Sequence, residues 1–279
     1  MIKRSWAELP TDVREAIEIR CGGVDAVVDA PVGTAYDFAG ILVTPTGPIF
    51  CKVVRSRAPQ AWMLRNELRV NPWLPSGSAP QALWHLTADA WLAVAFEHVE
   101  GRHADLSPGS PDLEAIATAL DRISACDVTD WPIRVHPIQR RWRTVGDLDD
   151  LGNADAYAGS ALLHADPAPS NLLVTPAGSV TLVDWAWPAR GAPWIDAALL
   201  VTHLIRHGHH PAEAEHWAAT TTAWPSADPT HIDAFAATLS ALRTHQAQTH
   251  PAPHHPLAAA AATTWLAHRR SSRGPRRRP

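Results

Sequence analysis

The chain has 279 residues, 46% of them hydrophobic, and a formal net charge of −4 at pH 7. This apolar fraction supports a large core and excludes a disordered protein, and the length is near the size at which chains divide into two lobes. The negative charge argues against a nucleic-acid partner, and because no run of about 18 apolar residues is present, no membrane-spanning helix is expected.

The cysteines and the first residues of the chain predict a compartment. Cys21, Cys51 and Cys126 are odd in number and lack metal-binding spacing. We therefore expect reduced thiols in a cytoplasmic protein. Residues 1–10 contain no apolar segment of the kind found in signal peptides, which favours the same location.

The first hundred residues predict strands with one helix between them, after a short initial helix at residues 12–20. The strand segments are rich in Val, Ile and aromatic residues, and a turn at residues 44–47 makes a hairpin of two of them. The predicted strands cover residues 24–29, 36–44, 48–54, 82–86 and 90–96. The helix between them covers residues 60–71, where Ala61, Leu64 and Leu68 fall on one face.

From about residue 101 the pattern becomes helical, with one short β insertion at 160–186. Helices are predicted at residues 111–125, 136–150, 194–207, 211–222, 229–247 and 256–269. The Arg- and Pro-rich tail 271–279 is expected to be disordered. The order of elements predicts a two-part α+β chain, with a small β-rich part at 1–98 and a larger, mainly helical part at 99–270.

Three polar residues in the β insertion carry the chemistry. Asp166 and Asn171 lie five residues apart in His164-Ala-Asp-Pro-Ala-Pro-Ser-Asn171, and Asp184 ends the apolar segment Thr181-Leu-Val. Phosphoryl transfer needs an acid to accept the proton of the attacking hydroxyl, and hard oxygen ligands for magnesium. The set therefore fits phosphoryl transfer, although each acid alone is equally typical of a turn or a helix cap.

The loop resembles the HxDxxPxN catalytic loop of the aminoglycoside phosphotransferases and their small-molecule kinase relatives, and Val183-Asp184-Trp185 resembles that family's counterpart of the protein-kinase DFG segment. The resemblance covers roughly residues 24–205. It implies a bilobal, protein-kinase-like fold that uses ATP and Mg²⁺. Protein kinases have a basic residue where this chain has Ala165, and Pro169 favours the small-molecule branch.

The resemblance also implies a role for each residue of the loop. Asp166 is the catalytic base, or the carboxylate that orients the acceptor hydroxyl. Asn171 and Asp184 bind Mg²⁺. His164 braces the loop, and Asp196 anchors it from below, although an acid at the start of a helix is also explained by the helix dipole.

Lys52 is one of only two lysines, against 22 arginines, and lies in the apolar strand Ile49-Phe-Cys-Lys52-Val-Val54. A buried ammonium is costly without a partner. In kinase-like folds such a lysine pairs with the α- and β-phosphates and is held by an acid on the next helix, for which Glu67 is the best candidate. The alternative is a solvated lysine on an edge strand with a surface glutamate.

The resemblance implies that two further segments contact the nucleotide. Gly33 lies where the phosphate-covering hairpin is expected, but no second glycine follows closely, and an ordinary turn explains it equally well. The segment 91–101 resembles the strand and hinge between the lobes, with Phe96 as gatekeeper. There the carbonyl of Glu97 and the N–H of Val99 would read the adenine edge.

The sequence thus predicts an enzyme that phosphorylates a hydroxyl of a small molecule, with no nucleic-acid or membrane partner. By the resemblance and the composition, an antibiotic is the leading acceptor and a metabolic amino alcohol or sugar is the alternative, and no residue distinguishes the two. A nucleotide-binding scaffold without turnover and a protein kinase are further alternatives. The acids Asp147, Asp149, Asp150 and Asp155 suit an aminated acceptor, but solvated helix ends explain them as well.

Overall fold

The computed structural model describes residues 4–30, 36–143, 154–250 and 252–272. The chain forms two compact units. Unit 1 comprises residues 1–100 together with the short segment 183–186, and unit 2 comprises residues 101–182 and 187–279. The segment Val183–Ala186 therefore belongs to unit 1 although its neighbours in sequence belong to unit 2.

Unit 1 is built on an antiparallel sheet of five strands in the order β1-β2-β3-β5-β4. The strands are β1 (Ala26–Asp29), β2 (Phe38–Thr44), β3 (Gly47–Arg55), β4 (Ala82–Ala88) and β5 (Trp91–Glu97). The β2–β3 hairpin closes where Thr44 pairs with Gly47, whose φ of +117° suits glycine. Two helices complete the unit, α1 (Thr11–Cys21) and α2 (Ala61–Val70).

Each face of this sheet is covered by one helix. Val13 and Ile17 of α1 pack against one face, with Phe38 and Val53. On the other face, α2 packs against a second cluster of buried residues, which includes Leu64, Tyr36, Val54, Val94 and Phe96. Alternate residues of β3 therefore point into two different cores.

Unit 2 is mainly helical. Its helices are α3 (Asp112–Ser124), α4 (Ile138–Arg143), α5 (Ile195–Arg206), α6 (Pro211–Ala218), α7 (Pro229–Thr249) and α8 (His254–Ser271). Its strands are short: β6 (Arg102–His103), β7 (His136–Pro137), β8 (Ala161–Leu163), β9 (Leu172–Val174), β10 (Val180–Leu182) and β11 (Ala189–Gly191). They form two three-stranded sheets, β10-β9-β6 and β7-β11-β8.

The predicted α+β architecture is confirmed, with two differences in detail. The helix predicted at 12–20 is α1, which buries Val13 and Ile17 against the sheet. Ser271, predicted to start the disordered tail, is the last residue of α8, and residues 273–279 lie outside the described ranges. Of the helix predicted at 136–150, only Ile138–Arg143 is described as helical.

None of the helices within the described ranges combines the length and the apolar character that crossing a membrane requires.

Candidate active site

The direction of the Lys52 side chain follows from the alternation of β3. Cys51 and Val53 enter the core beneath α1, so Lys52 and Val54 face α2. Lys52 is 6% exposed. Its ammonium therefore lies inside unit 1 and requires a partner on the α2 side of the sheet.

Glu67 of α2 supplies that partner. It lies one helical turn after Leu64, on the buried face of the helix, and is 3% exposed. Lys52 Nζ donates hydrogen bonds of 2.8 Å to Oε2 and 3.0 Å to Oε1 of Glu67. The structure thus contains the lysine–glutamate pair that the sequence suggests, and the edge-strand alternative for Lys52 is wrong.

Asp184 completes this cluster. Lys52 Nζ donates a hydrogen bond of 3.0 Å to its Oδ1 atom. Helix α2 holds the two residues that follow Asp184, since Asn66 Nδ2 donates to Ala186 O (2.9 Å) and Trp185 N donates to Glu67 Oε1 (3.3 Å). The φ of Asp184 is +65°, a left-handed conformation that costs a non-glycine residue free energy.

Two aromatic residues enclose the Lys52 ammonium. The nitrogen lies 4.9 Å from the ring centroid of Tyr36 and 5.6 Å from that of Phe96, within the range of cation–π attraction. The Tyr36 hydroxyl donates to Asp184 Oδ1 at 3.2 Å. No role for Tyr36 follows from the sequence, because an aromatic residue in a predicted strand is usual in any sheet protein.

The charges of this cluster stabilise one another. Burial opposes the charged form of Lys52, but the carboxylates of Asp184 and Glu67 outweigh it and hold the pKa of Lys52 well above its usual value. Burial raises the pKa of Glu67, and the Lys52 charge opposes that rise. The side chain of Asp184 is 36% exposed, so this carboxylate keeps access to solvent and to a ligand.

In unit 2, Asp196 holds the loop that begins at His164. This residue lies in the first turn of α5 and is 3% exposed. Its Oδ2 atom accepts the backbone N–H of His164 (2.7 Å), and its Oδ1 atom accepts that of Ala165 (2.9 Å). Burial raises the pKa of Asp196 to about 6, against the effect of these two hydrogen bonds.

The same loop fixes the orientation of Asn171. Its Nδ2 atom donates a hydrogen bond of 2.9 Å to the backbone carbonyl of Asp166. The Oδ1 atom accepts a hydrogen bond of 3.5 Å from Ser170 Oγ and keeps a second lone pair for a further partner. The Asp166 side chain is 38% exposed and therefore accessible to a substrate.

Arg141 of α4 lies against the loop and was not found from the sequence. Its Nη1 atom donates to the carbonyl of Ala165, and its Nη2 atom lies 3.4 Å from Asp166 Oδ2. The guanidinium also lies over the ring of Trp187, 4.7 Å from the centroid. A positive charge therefore reaches the loop from α4, although Ala165 occupies the position of the basic residue of protein kinases.

The oxygen ligands suit magnesium better than a softer metal. Within the described ranges, no group of three or more His, Cys, Asp or Glu residues could hold a metal ion by itself. Magnesium is usually held by one or two carboxylates together with substrate phosphates. The accessible carboxylate of Asp184 and the oriented carboxamide oxygen of Asn171 are donors of this kind.

Solved structures similar to this chain include aminoglycoside phosphotransferases and a choline kinase. The chain matches a thermostable mutant of the aminoglycoside phosphotransferase APH(4)-Ia, in ternary complex with AMP-PNP and hygromycin B, at a TM-score of 0.63 and 16% identity, over 95% of this chain and 100% of that one. The fold is that of the aminoglycoside phosphotransferases. At this level of identity the likeness establishes the kinase-like fold and not the substrate.

Two other similar structures have the aminoglycoside phosphotransferase fold. An aminoglycoside phosphotransferase from Alicyclobacillus acidocaldarius has a TM-score of 0.57 and 18% identity, covering 89% of this chain and 92% of that one. The choline kinase LicA from Streptococcus pneumoniae has a TM-score of 0.57 and 14% identity, covering 92% and 99%. No protein-family model and no curated protein sequence matches the chain.

The sequence also predicts nucleotide contacts at Gly33, Glu97 and Val99. Gly33 lies outside the described residues. Glu97 ends β5, and its carboxylate accepts the N–H of Gln81 at 3.0 Å, so the side chain serves the sheet. Val99 lies two residues after the end of β5 and is half-buried. Of the acids considered for an aminated acceptor, Asp155 is exposed, and the other three lie outside the described ranges.

Proposed function

We propose that this protein transfers the γ-phosphate of ATP to a hydroxyl group of a small molecule, with magnesium. The observation that carries the proposal is the buried cluster of Lys52, Glu67 and Asp184, in which an ammonium is held rigidly between two carboxylates. A structural ion pair needs only one of these acids. The second, accessible carboxylate is what a phosphate and metal site requires.

The proposal gives each predicted site residue a role. ATP supplies the phosphoryl group, and magnesium neutralises charge on its phosphates. Lys52 binds the α- and β-phosphates and Glu67 positions it. Asp184 and Asn171 hold the metal, and the backbone of Glu97 and Val99 contacts the adenine. Asp166 accepts the proton of the attacking hydroxyl at its carboxylate, while His164 and Asp196 support the loop.

The experiment is a screen for ATP consumption with Mg²⁺ over hydroxylated antibiotics, amino alcohols and sugars, with mass detection of the phosphate adduct. We expect one class to gain a single phosphate. The variant Asp166→Ala should lose nearly all turnover and keep its nucleotide affinity, while Asp130→Ala, at an exposed position of unit 2, should keep both. Full turnover by Asp166→Ala would refute the assignment of the base.

A scaffold that binds nucleotide without turnover is the competing proposal. It predicts nucleotide binding, no adduct with any acceptor, and no dependence of binding on Asp184. We expect instead that Asp184→Asn weakens the binding of Mg·ATP more than that of metal-free ATP, because Asp184 is the accessible one of the two acids that contact Lys52. Thermal-shift titrations with and without Mg²⁺ distinguish the two.

A further inference from the structure

Tyr36 is held in place within unit 1 by its neighbour in the chain and by its own ring. The residue that follows it, Asp37, is buried, and its Oδ2 atom accepts the backbone N–H of Arg55 at the end of β3, at 3.0 Å. The Tyr36 ring is 6% exposed and packs into the core cluster of α2, with Leu64 and Val94. A ring packed into a core stays in one rotamer, so the position of the hydroxyl is fixed.

The Tyr36 hydroxyl has two carboxylates near it but only one proton to donate. Its oxygen lies 3.2 Å from Asp184 Oδ1 and 3.5 Å from Glu67 Oε2. The longer distance is at the limit for a hydrogen bond, and Glu67 already accepts two hydrogen bonds from Lys52. The proton therefore goes to Asp184. Because a phenol keeps its proton at neutral pH, the hydroxyl remains a donor under the conditions of a kinase assay.

The Asp184 carboxylate is not fixed by burial, since its side chain is 36% exposed. The contacts of α2 hold the two residues that follow, Trp185 and Ala186, through their backbone. Two donors reach the carboxylate itself at Oδ1, Lys52 Nζ at 3.0 Å and the Tyr36 hydroxyl at 3.2 Å. They use both lone pairs of Oδ1, so metal ligation falls to the other oxygen, Oδ2.

The two donors to Asp184 differ in what a nucleotide does to them. The proposed function assigns the Lys52 ammonium to the α- and β-phosphates, so phosphate oxygens compete with Asp184 for its N–H groups. The Tyr36 hydroxyl is uncharged, and its position is set by a buried ring. It is therefore the donor that can hold Asp184 while Lys52 binds phosphate.

We infer that Tyr36 is a positioning residue for the metal, and that its hydroxyl holds the Asp184 carboxylate in the orientation that binds magnesium. This inference rests on the proposed function, because it takes Asp184 as a metal ligand. Loss of the hydroxyl should weaken the response to Mg²⁺ and leave the affinity for metal-free nucleotide almost unchanged, since the pair of Lys52 and Glu67 remains. A purely structural role would lower stability without changing the response to the metal.

The variant Tyr36→Phe tests this role, because it removes the hydroxyl and keeps the ring. The matched control is Tyr157→Phe. Tyr157 is the only other tyrosine of the chain, and its buried hydroxyl shares a hydrogen bond of 2.8 Å with Thr238 Oγ1 in unit 2, not with a carboxylate. Each protein is saturated with metal-free AMP-PNP, and Tm is followed at constant ionic strength as the free Mg²⁺ concentration is raised.

We expect Tyr36→Phe to need about tenfold more Mg²⁺ for half of the rise in Tm, which is the loss expected for one hydrogen bond to a charged acceptor. Tyr157→Phe should match the wild type. An unchanged or stronger Mg²⁺ response in Tyr36→Phe refutes the inference and leaves the kinase proposal intact. A wild type that binds AMP-PNP equally well with and without Mg²⁺ refutes both.

Titrations with AMP-PNP in the absence of metal separate the metal from the nucleotide. Equal affinities of the wild type and Tyr36→Phe support the inference. A loss of the same size with and without Mg²⁺ refutes it and places Tyr36 at the nucleotide.

The rate of phosphate transfer gives a further measurement once an acceptor is found. At saturating ATP, Tyr36→Phe should raise the apparent KM for Mg²⁺ by about tenfold, and excess Mg²⁺ should restore kcat to near the wild-type value. A kcat that stays low at saturating Mg²⁺ refutes a role limited to positioning the metal ligand. A shifted Mg²⁺ response without any phosphate transfer supports the inference and refutes the proposed function.

Discussion

The Oδ1 atom of Asp196 accepts a hydrogen bond of 2.9 Å from the backbone N–H of Ala165, a residue whose φ is +63°. A left-handed conformation costs a residue with a side chain about 1–2 kcal/mol, so it persists only where the surroundings fix it. The same carboxylate accepts the N–H of His164 at 2.7 Å. Asp196 therefore fixes the backbone immediately before Asp166.

Removing this carboxylate should weaken both the fold and the reaction. Asp196→Ala leaves two buried N–H groups without acceptors, and we expect a loss of roughly 1–3 kcal/mol in the free energy of unfolding. If the loop relaxes, kcat should fall by about 10–100-fold, since a displaced base loses its alignment. Urea denaturation and steady-state kinetics measure the two effects. Asp130→Ala is the exposed control, and an unchanged kcat in stable Asp196→Ala would contradict the positioning role.

The titration of Asp196 should make stability depend on pH. Burial raises its folded-state pKa from 3.8 to about 6. Between these values the folded state holds more protons than the unfolded state, so stability falls as pH rises through this window. The shift corresponds to roughly 3 kcal/mol between pH 4 and pH 7. The difference in unfolding free energy between wild type and Asp196→Ala should therefore shrink with rising pH, and a growing difference would contradict the raised pKa.

Part of the site could be predicted because its residues are close in sequence or follow a period. Asp166 and Asn171 lie on one loop, where two prolines and a fixed spacing limit the conformations. Lys52 stands out because a lysine is rare in this chain and lies in an apolar strand, and helical periodicity places Glu67 on the buried side of its helix.

Other parts could not be predicted, because they depend on how separate elements pack. Arg141 lies 25 residues before Asp166, on a helix whose polar sequence gives no sign of what it contacts. Helices α5 and α7 both pack against α8, and periodicity finds helices without showing which of them pack on each other. Tyr36 precedes a strand, and only the fold brings its hydroxyl to Asp184.

The pair formed by Lys52 and Glu67 should be sensitive to the loss of one partner. Lys52→Met leaves the carboxylate of Glu67, which is 3% exposed, without its main counter-charge. An uncompensated buried charge costs roughly 3–5 kcal/mol. We expect the double variant Lys52→Met/Glu67→Leu to recover much of this stability, with an interaction energy of roughly 1–3 kcal/mol in the double-mutant cycle.

Activity separates the role of this pair in folding from its role in the reaction. The double variant should fold but lose nearly all phosphotransfer, because no ammonium remains to bind the phosphates. Urea denaturation of the four proteins of the cycle, with an ATP-consumption assay on each, provides both readouts. A stable double variant with normal turnover would contradict the phosphate-binding role of Lys52.

Arg141 should position Asp166 rather than bind nucleotide. The guanidinium contacts the carbonyl of Ala165, lies 3.4 Å from the Asp166 carboxylate and stacks on Trp187, and the point charge of a lysine cannot make all three contacts. For Arg141→Lys we expect kcat to fall by about 10–100-fold and KM for ATP to change little.

The control is Arg140→Lys, at an exposed neighbouring position of α4. Arg140 contacts His136, 2.9 Å away, and not the loop. Equal kinetics for the two variants would show that the fork geometry of Arg141 does not matter, whereas a rise in KM for ATP alone would place Arg141 at the nucleotide instead of at Asp166.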